Sequence, residues 1–185
     1  MMQDLAMHML EIIMNSIAAG ASLIRILFID SKAKDEIQIE LEDNGKGMSE
    51  EMVKRVTDPF TTGRTTRKVG LGVSFMKGLT EQCNGVFDVK SQLGVGTTVY
   101  VSLQRSHIDL PPLGNLGEMM MAAIQGNADI NYQFTYKNDS NEFAFDTIEV
   151  RKELGDEVPL NEPQILLWIR DYINEGIQQA KEEQL

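Results

Sequence analysis

The chain has 185 residues, enough for one domain or for one domain with a small addition. Its net charge of −11 argues against nucleic acid or an anionic membrane as the main partner. A single cysteine, Cys83, excludes an intrachain disulfide and a cysteine-built metal cage. No apolar run reaches the ~18 residues of a membrane span, and residues 1–4 supply no basic region of a targeting signal. The expectation is a soluble, cytoplasmic protein.

Residues 4–19 read as a helix rich in Leu, Met, Ile and Ala. Its polar members His8, Glu11 and Asn15 recur at three- and four-residue steps and so share one narrow face. "SLIRILFID" (22–30) and "EIQIELED" (36–43) read as strands joined by a polar turn. A short helix is predicted over 49–56, with Glu50 and Glu51 at its positive end. A long basic loop punctuated by glycine (57–72) and a helix over 73–83 follow. Two strands, 86–92 and 97–104, then meet around "LGVG". Pro111 and Pro112 interrupt regular structure near 106–114. We place a boundary there, with one domain over 1–105 and an addition over 106–185. The addition is predicted as a helix (116–125), a hairpin of "INYQFTY" and "EFAFDTIEV", and a final helix. That helix starts at Asn161, carries Pro163 in its first turn, and has an apolar face of Ile165, Ile169, Tyr172, Ile173 and Ile177.

The chemistry gathers at "LEDNGKGM". Side chains alternate along a strand, so Asp43 shares the inward face of Ile37, Ile39 and Leu41. An inward carboxylate needs a donor, and nothing nearby in the sequence supplies one. Gly45 and Gly47 let bare backbone come close to a neighbour. A ligand bearing a polar N–H would answer both features. The alternatives are that Asp43 caps the helix at Ser49 or pairs with a distant arginine. By the same parity Thr97 lies inward with Val99, Val101 and Leu103.

On the first helix, Glu11 and Asn15 either face water or line a cavity. In a cavity, Asn15 could ligate a hard cation such as Mg²⁺, and Glu11 could accept a proton. The loop gathers Arg64, Arg67 and Lys68 among threonines and glycines, and Gly70-Leu71-Gly72 opens the next helix as a phosphate cradle would. It lacks the G-K-[ST] of a Walker loop and the third glycine of a dinucleotide fingerprint.

In order, "EIIMNSIAAGA", "DNGKGM", "GLGVSFMKGL" and "GVGTTVYVSL" resemble the motifs of the Bergerat-fold (GHKL) ATPases over residues 4–104. The front half is similar to MutL, and the second half to a histidine-kinase catalytic domain. The resemblance implies a two-layer α/β sandwich, a mixed and mostly antiparallel sheet with helices on one face, here with a small C-terminal α+β appendage. It implies ATP and Mg²⁺ as ligands, Glu11 as general base and Asn15 as the magnesium ligand. Asp43 would accept from the adenine amino group, with Gly45, Gly47 and Thr97 beside the ring and Gly70 and Gly72 at the hinge of a phosphate lid. Ala19, Met48, Phe60 and Leu71 join Arg64, Arg67 and Lys68 as further nucleotide contacts.

The histidine kinases carry a dimerising hairpin with the acceptor histidine ahead of this domain. Only about ten residues precede Glu11 here, and neither His8 nor His107 matches that acceptor. The expectation is therefore a stand-alone protein kinase or slow ATPase acting on a regulatory partner or phosphoacceptor in trans. The alternative is an ATP-gated binding switch with little catalysis. A homodimer is left open.

Overall fold

Period-two burial builds the sheet. In the computed structural model, which describes residues 3–58 and 71–182, one row of apolar side chains crosses all six strands: Phe87, Val101, Ile39, Phe28, Tyr136 and Phe143. The elements in chain order are α1 (Leu5–Ala18), β1 (Leu23–Ser31), β2 (Glu36–Asp43), α2 (Glu50–Thr57), α3 (Leu71–Gln82), β3 (Val86–Gln92) and β4 (Gly96–Gln104). There follow α4 (Leu116–Gly126), β5 (Asn131–Asn138), β6 (Glu142–Asp146), α5 (Thr147–Leu154) and α6 (Pro163–Glu182).

The strand order is β3-β4-β2-β1-β5-β6. Every pair is antiparallel except β1 with β5, so the sheet is mixed and mostly antiparallel, as expected. Its apolar face is covered by helices. Leu5, Met9, Ile12 and Ile13 of α1, Met120 and Ile124 of α4, and Ile169 and Ile173 of α6 are all buried in one continuous core with the strands. The opposite face is polar and partly exposed; Arg25 there reaches Glu42 at 3.3 Å and Gln133 at 3.1 Å. Burying one face of a sheet under helices is what the alternating pattern demands.

Residues 116–182 add two strands and three helices to the same sheet and core. The first turn of α1 is tied to the preceding connection, Leu5 N–H donating to the Pro112 carbonyl and Ala6 N–H to that of Leu113, both at 3.0 Å. Several boundaries differ from the sequence reading, three of them with a bearing on packing. The second strand of the hairpin stops at Asp146, because the Asp146 carboxylate accepts from Ile148 N–H at 2.8 Å and caps a new helix, α5. The final helix begins at Pro163 rather than Asn161; Leu166 and Ala180 take buried places on it, and Tyr172 is 43% exposed. Helix α3 starts at Leu71, two residues before the expected Val73. Among the described residues, no helix is long and apolar enough to cross a membrane.

Candidate functional site

Helix α1 brings the polar stripe to the site. Asp4 caps it, its carboxylate accepting from Met7 N–H at 2.8 Å. With the core side of α1 spent on Leu5, Met9 and Ile12, the stripe of His8, Glu11 and Asn15 runs along the adjoining face and continues to Ala19. Asn15 and Ala19 line a cavity of about 110 Å³ between α1 and the ends of β2 and β4. Leu41, Val73 and Val99 give it apolar walls, Asp43 and Thr97 supply polar groups, and Met48 and Gly47 also line it.

Asp43 faces the cavity, as strand parity predicts. The expectation that no local donor serves it is corrected. Gly45 N–H donates to Oδ1 at 2.8 Å, and the buried Ser16 hydroxyl donates to Oδ2 at 2.6 Å. A two-residue turn thus satisfies one oxygen, and α1 the other. Neither alternative partner is used: Ser49 caps α2 through Met52 N–H at 3.2 Å, and among the described residues no arginine forms an ion pair with Asp43. Each carboxylate oxygen keeps a lone pair for a further donor.

Thr97 lies directly across from Asp43 in the β2–β4 register. Its hydroxyl meets that of Ser91 at 2.8 Å, and Ser91 Oγ also accepts from Met48 N–H at 2.8 Å. This chain of bonds seats the segment after Asp43 against β3 and β4. Gly47 completes the seat: its φ is +70°, and a side chain there would collide with the Gln92 carbonyl.

At the other end of the stripe, Glu11 Oε2 and His8 Nδ1 are buried and have no hydrogen-bond partner among the described residues. Such atoms are costly unless a further group serves them. Gly72, in the first turn of α3, lies so close that a Cβ on it would stand 2.8 Å from Glu11 Cβ. Only a glycine lets α3 close over this carboxylate. Beyond it, Lys77 of α3 donates to the Thr57 carbonyl at the end of α2, at 2.9 Å.

Of the expected nucleotide contacts, the cavity gathers Asn15, Ala19, Asp43, Gly47, Met48 and Thr97. Gly45 packs against Ala19, and Gly72 against Glu11. Phe60, Arg64, Arg67, Lys68 and Gly70 lie outside the described residues, and Leu71 is described only as the start of α3. The sequence reading missed Ser16 and Ser91. Ser16 follows Asn15 directly, so one helical step separates a cavity residue from the donor that holds Asp43. Removing that donor, Ser16→Ala, should lower stability by about 1.5 kcal/mol, a fall of a few degrees in melting temperature for a chain of this size. An unchanged melting curve would show that Ser16 does not support the carboxylate.

The donor set fits an adenine nucleotide. A carboxylate with unused acceptor capacity sits among apolar walls suited to a ring, and an amide and a buried acid stand one helical turn apart on α1. The Asn15 amide oxygen is the type of ligand a hard divalent cation takes. Helices over one face of a mixed sheet, with this cavity at the sheet's end, make up an ATP-binding domain of the histidine-kinase type.

Comparison with known proteins agrees. Residues 3–107 match the family described as histidine kinase-, DNA gyrase B- and HSP90-like ATPase. The chain belongs to this family. Similar proteins include the sensor histidine kinase YxdK of Bacillus subtilis (34% identity over 73 residues, 37% of this chain and 22% of that protein). Another is the sensor protein DegM of a Bacillus species (41% over 73 residues, 39% and 19%). A third is the sensor kinase CckA of Brucella abortus (30% over 87 residues, 46% and 9%). The chain thus spans less than a quarter of the length of each of these relatives. Among solved structures, the MutL ATPase domain of Aquifex aeolicus complexed with ADP aligns with a TM-score of 0.47 at 14% identity, over 79% of this chain and 64% of that one.

Proposed function

We propose that the protein binds Mg·ATP in the α1–β2–β4 cavity and acts as a regulatory protein kinase or slow ATPase on a partner in trans. The observation that carries this reading is the buried Oε2 of Glu11, unpartnered among the described residues, beside Gly72. A switch that only senses nucleotide has no need of a desolvated base. Asp43 would take the adenine amino group, and Gly45 N–H and Ser16 would hold that carboxylate in place. Asn15 would hold Mg²⁺, which supplies charge neutralisation at the phosphates. Glu11 would accept the proton of the attacking hydroxyl or water. The reading places the protein in signal transduction in the cytoplasm, away from nucleic acid and membrane.

A second reading, an ATP-gated binding switch, is favoured by one feature. Helix α4 packs directly on α1, and the connection before α4 bonds to the first turn of α1, so the C-terminal segment is mechanically joined to the site helix. Partner binding through that segment could then follow nucleotide occupancy without turnover. Phosphate release and phosphotransfer by the purified protein, set against binding alone, separate the two readings. For the site itself, Asn15→Ala should weaken Mg·ATP far more than magnesium-free ATP in a calorimetric titration. Equal weakening of both would mean that Asn15 is not the metal ligand.

A further inference from the structure

A second and larger concavity, about 720 Å³, lies at the β6 edge of the sheet between β6, α5 and α6. Val150 and Ile165 line it from two helices, and Ala144 and Phe145 from the strand. Neighbouring residues of a strand point to opposite faces, so a hollow lined by both Ala144 and Phe145 opens along the strand's edge. β6 ends the sheet, and its outer edge has no strand partner among the described residues.

The wall of the hollow is aromatic and exposed. Trp168 and Tyr172 stack at 5.0 Å and 19°, yet remain 49% and 43% exposed. Tyr172 is held from behind by Phe143 at 5.6 Å and Phe145 at 6.3 Å. An exposed Trp–Tyr pair locked by its neighbours is an anchor surface that loses little side-chain entropy on binding. The rim is of one sign. Asp146, Glu149 and Glu153 line the hollow, with no lysine or arginine among the lining residues. Of the basic residues nearest in sequence, Lys152 is engaged with Glu149 at 2.9 Å, Arg151 with the Ala128 and Ile130 carbonyls, and Arg170 with Asp171.

We infer that this face docks an extended segment of a partner protein, one with an apolar anchor flanked by lysine or arginine, laid along the edge of β6. The anchor fills the hollow against Trp168, backbone groups extend the sheet, and the basic flanks meet the acidic rim. A second copy of this chain would set one acidic rim against another, and an anionic membrane would be repelled in the same way. The inference stands on the chemistry of this face alone and does not depend on nucleotide turnover.

Trp168 is the only tryptophan in the chain, so its fluorescence reports occupancy directly. The probes are capped heptapeptides free of tryptophan, Lys-Lys-Val-X-Val-Lys-Lys with Phe, Leu or Ile at X, titrated into the whole protein without nucleotide. Control peptides carry Glu in place of Lys, or N-methylated backbone at alternate residues. At least one lysine peptide should shift Trp168 emission saturably, bind less tightly as salt rises, and bind about ten-fold more tightly than both controls. Glu153→Lys should narrow the preference for lysine over glutamate peptides and leave the melting temperature in place. Failure of all three lysine peptides, or equal binding of lysine and glutamate peptides, would overturn the inference. So would sedimentation showing that the free protein self-associates through Trp168, which would make the occupant a second copy. Because no ATP is present, each of these results leaves the nucleotide reading untouched.

Discussion

Replacing Glu11 by glutamine should leave ATP bound and slow its turnover by about 10²–10⁴-fold, the contribution of a positioned general base. The exchange keeps the side chain's size, which matters because Gly72 lies directly over it. What is lost is the ability to accept a proton. A base acts in the transition state, so the loss falls on kcat and the dissociation constant for ATP stays close to that of the wild type. The carboxylate oxygen now buried without a partner among the described residues also becomes part of a neutral amide, which costs less to bury. The nucleotide-free variant should therefore melt at or above the wild-type temperature. Phosphate release measured beside ATP titration checks both parts. Wild-type turnover in the variant would remove Glu11 from the reaction, and turnover absent from both proteins would favour the switch.

Asp43→Asn should weaken ATP by about ten- to a hundred-fold with little change in folding. The charge-assisted hydrogen bond to the adenine amino group is worth roughly 1.5–3 kcal/mol, and 1.4 kcal/mol is a factor of ten. Asparagine can keep its oxygen on Gly45 N–H and turn its amide toward the Ser16 hydroxyl, which can accept as well as donate. Both bonds that hold the turn survive. The amide then meets the adenine amino group donor to donor, and affinity falls. GTP should bind poorly to the wild type, since guanine carries a carbonyl at that position. The Asn variant should narrow the gap between the two nucleotides. Alanine is the less informative change, because it would also remove the Ser16 and Gly45 bonds. A variant that binds ATP as tightly as the wild type would show that Asp43 does not read the base.

What could be read from the chain depended on how local the cause was. Period-two alternation put Ile37, Ile39, Leu41 and Asp43 on one face, and the register bears this out to the last residue. The stripe on α1 was likewise visible, because three- and four-residue steps need only the helix itself. Donors brought in by tertiary contact were not visible. Ser16 reaches Asp43 across 27 positions and Met48 reaches Ser91 across 43, and nothing in a single sequence marks such pairs. The segment "FDTIEV" misled for a different reason. Thr147, Ile148 and Val150 favour a strand by their branching, but an aspartate cap and the burial of the Thr147 hydroxyl against Tyr132 N–H turn the chain into a helix. The parallel pairing of β1 with β5 was beyond reach, since strand order is decided by the whole core.

That pairing has a consequence for how the molecule is made. β1 is an inner strand, yet one of its two neighbours begins at residue 131, more than a hundred positions later. As the chain leaves the ribosome, β1 can join β2 early and β4 can join β2 later, but the other edge of β1 stays open until α4 and β5 have emerged. Ile24, Ile26 and Phe28 lie beside that open edge. The slow, non-local step of folding is therefore the docking of β5 against β1, and the half-made protein is an adhesive one. Ribosome-bound chains halted shortly before β5 should be the ones that chaperones hold longest.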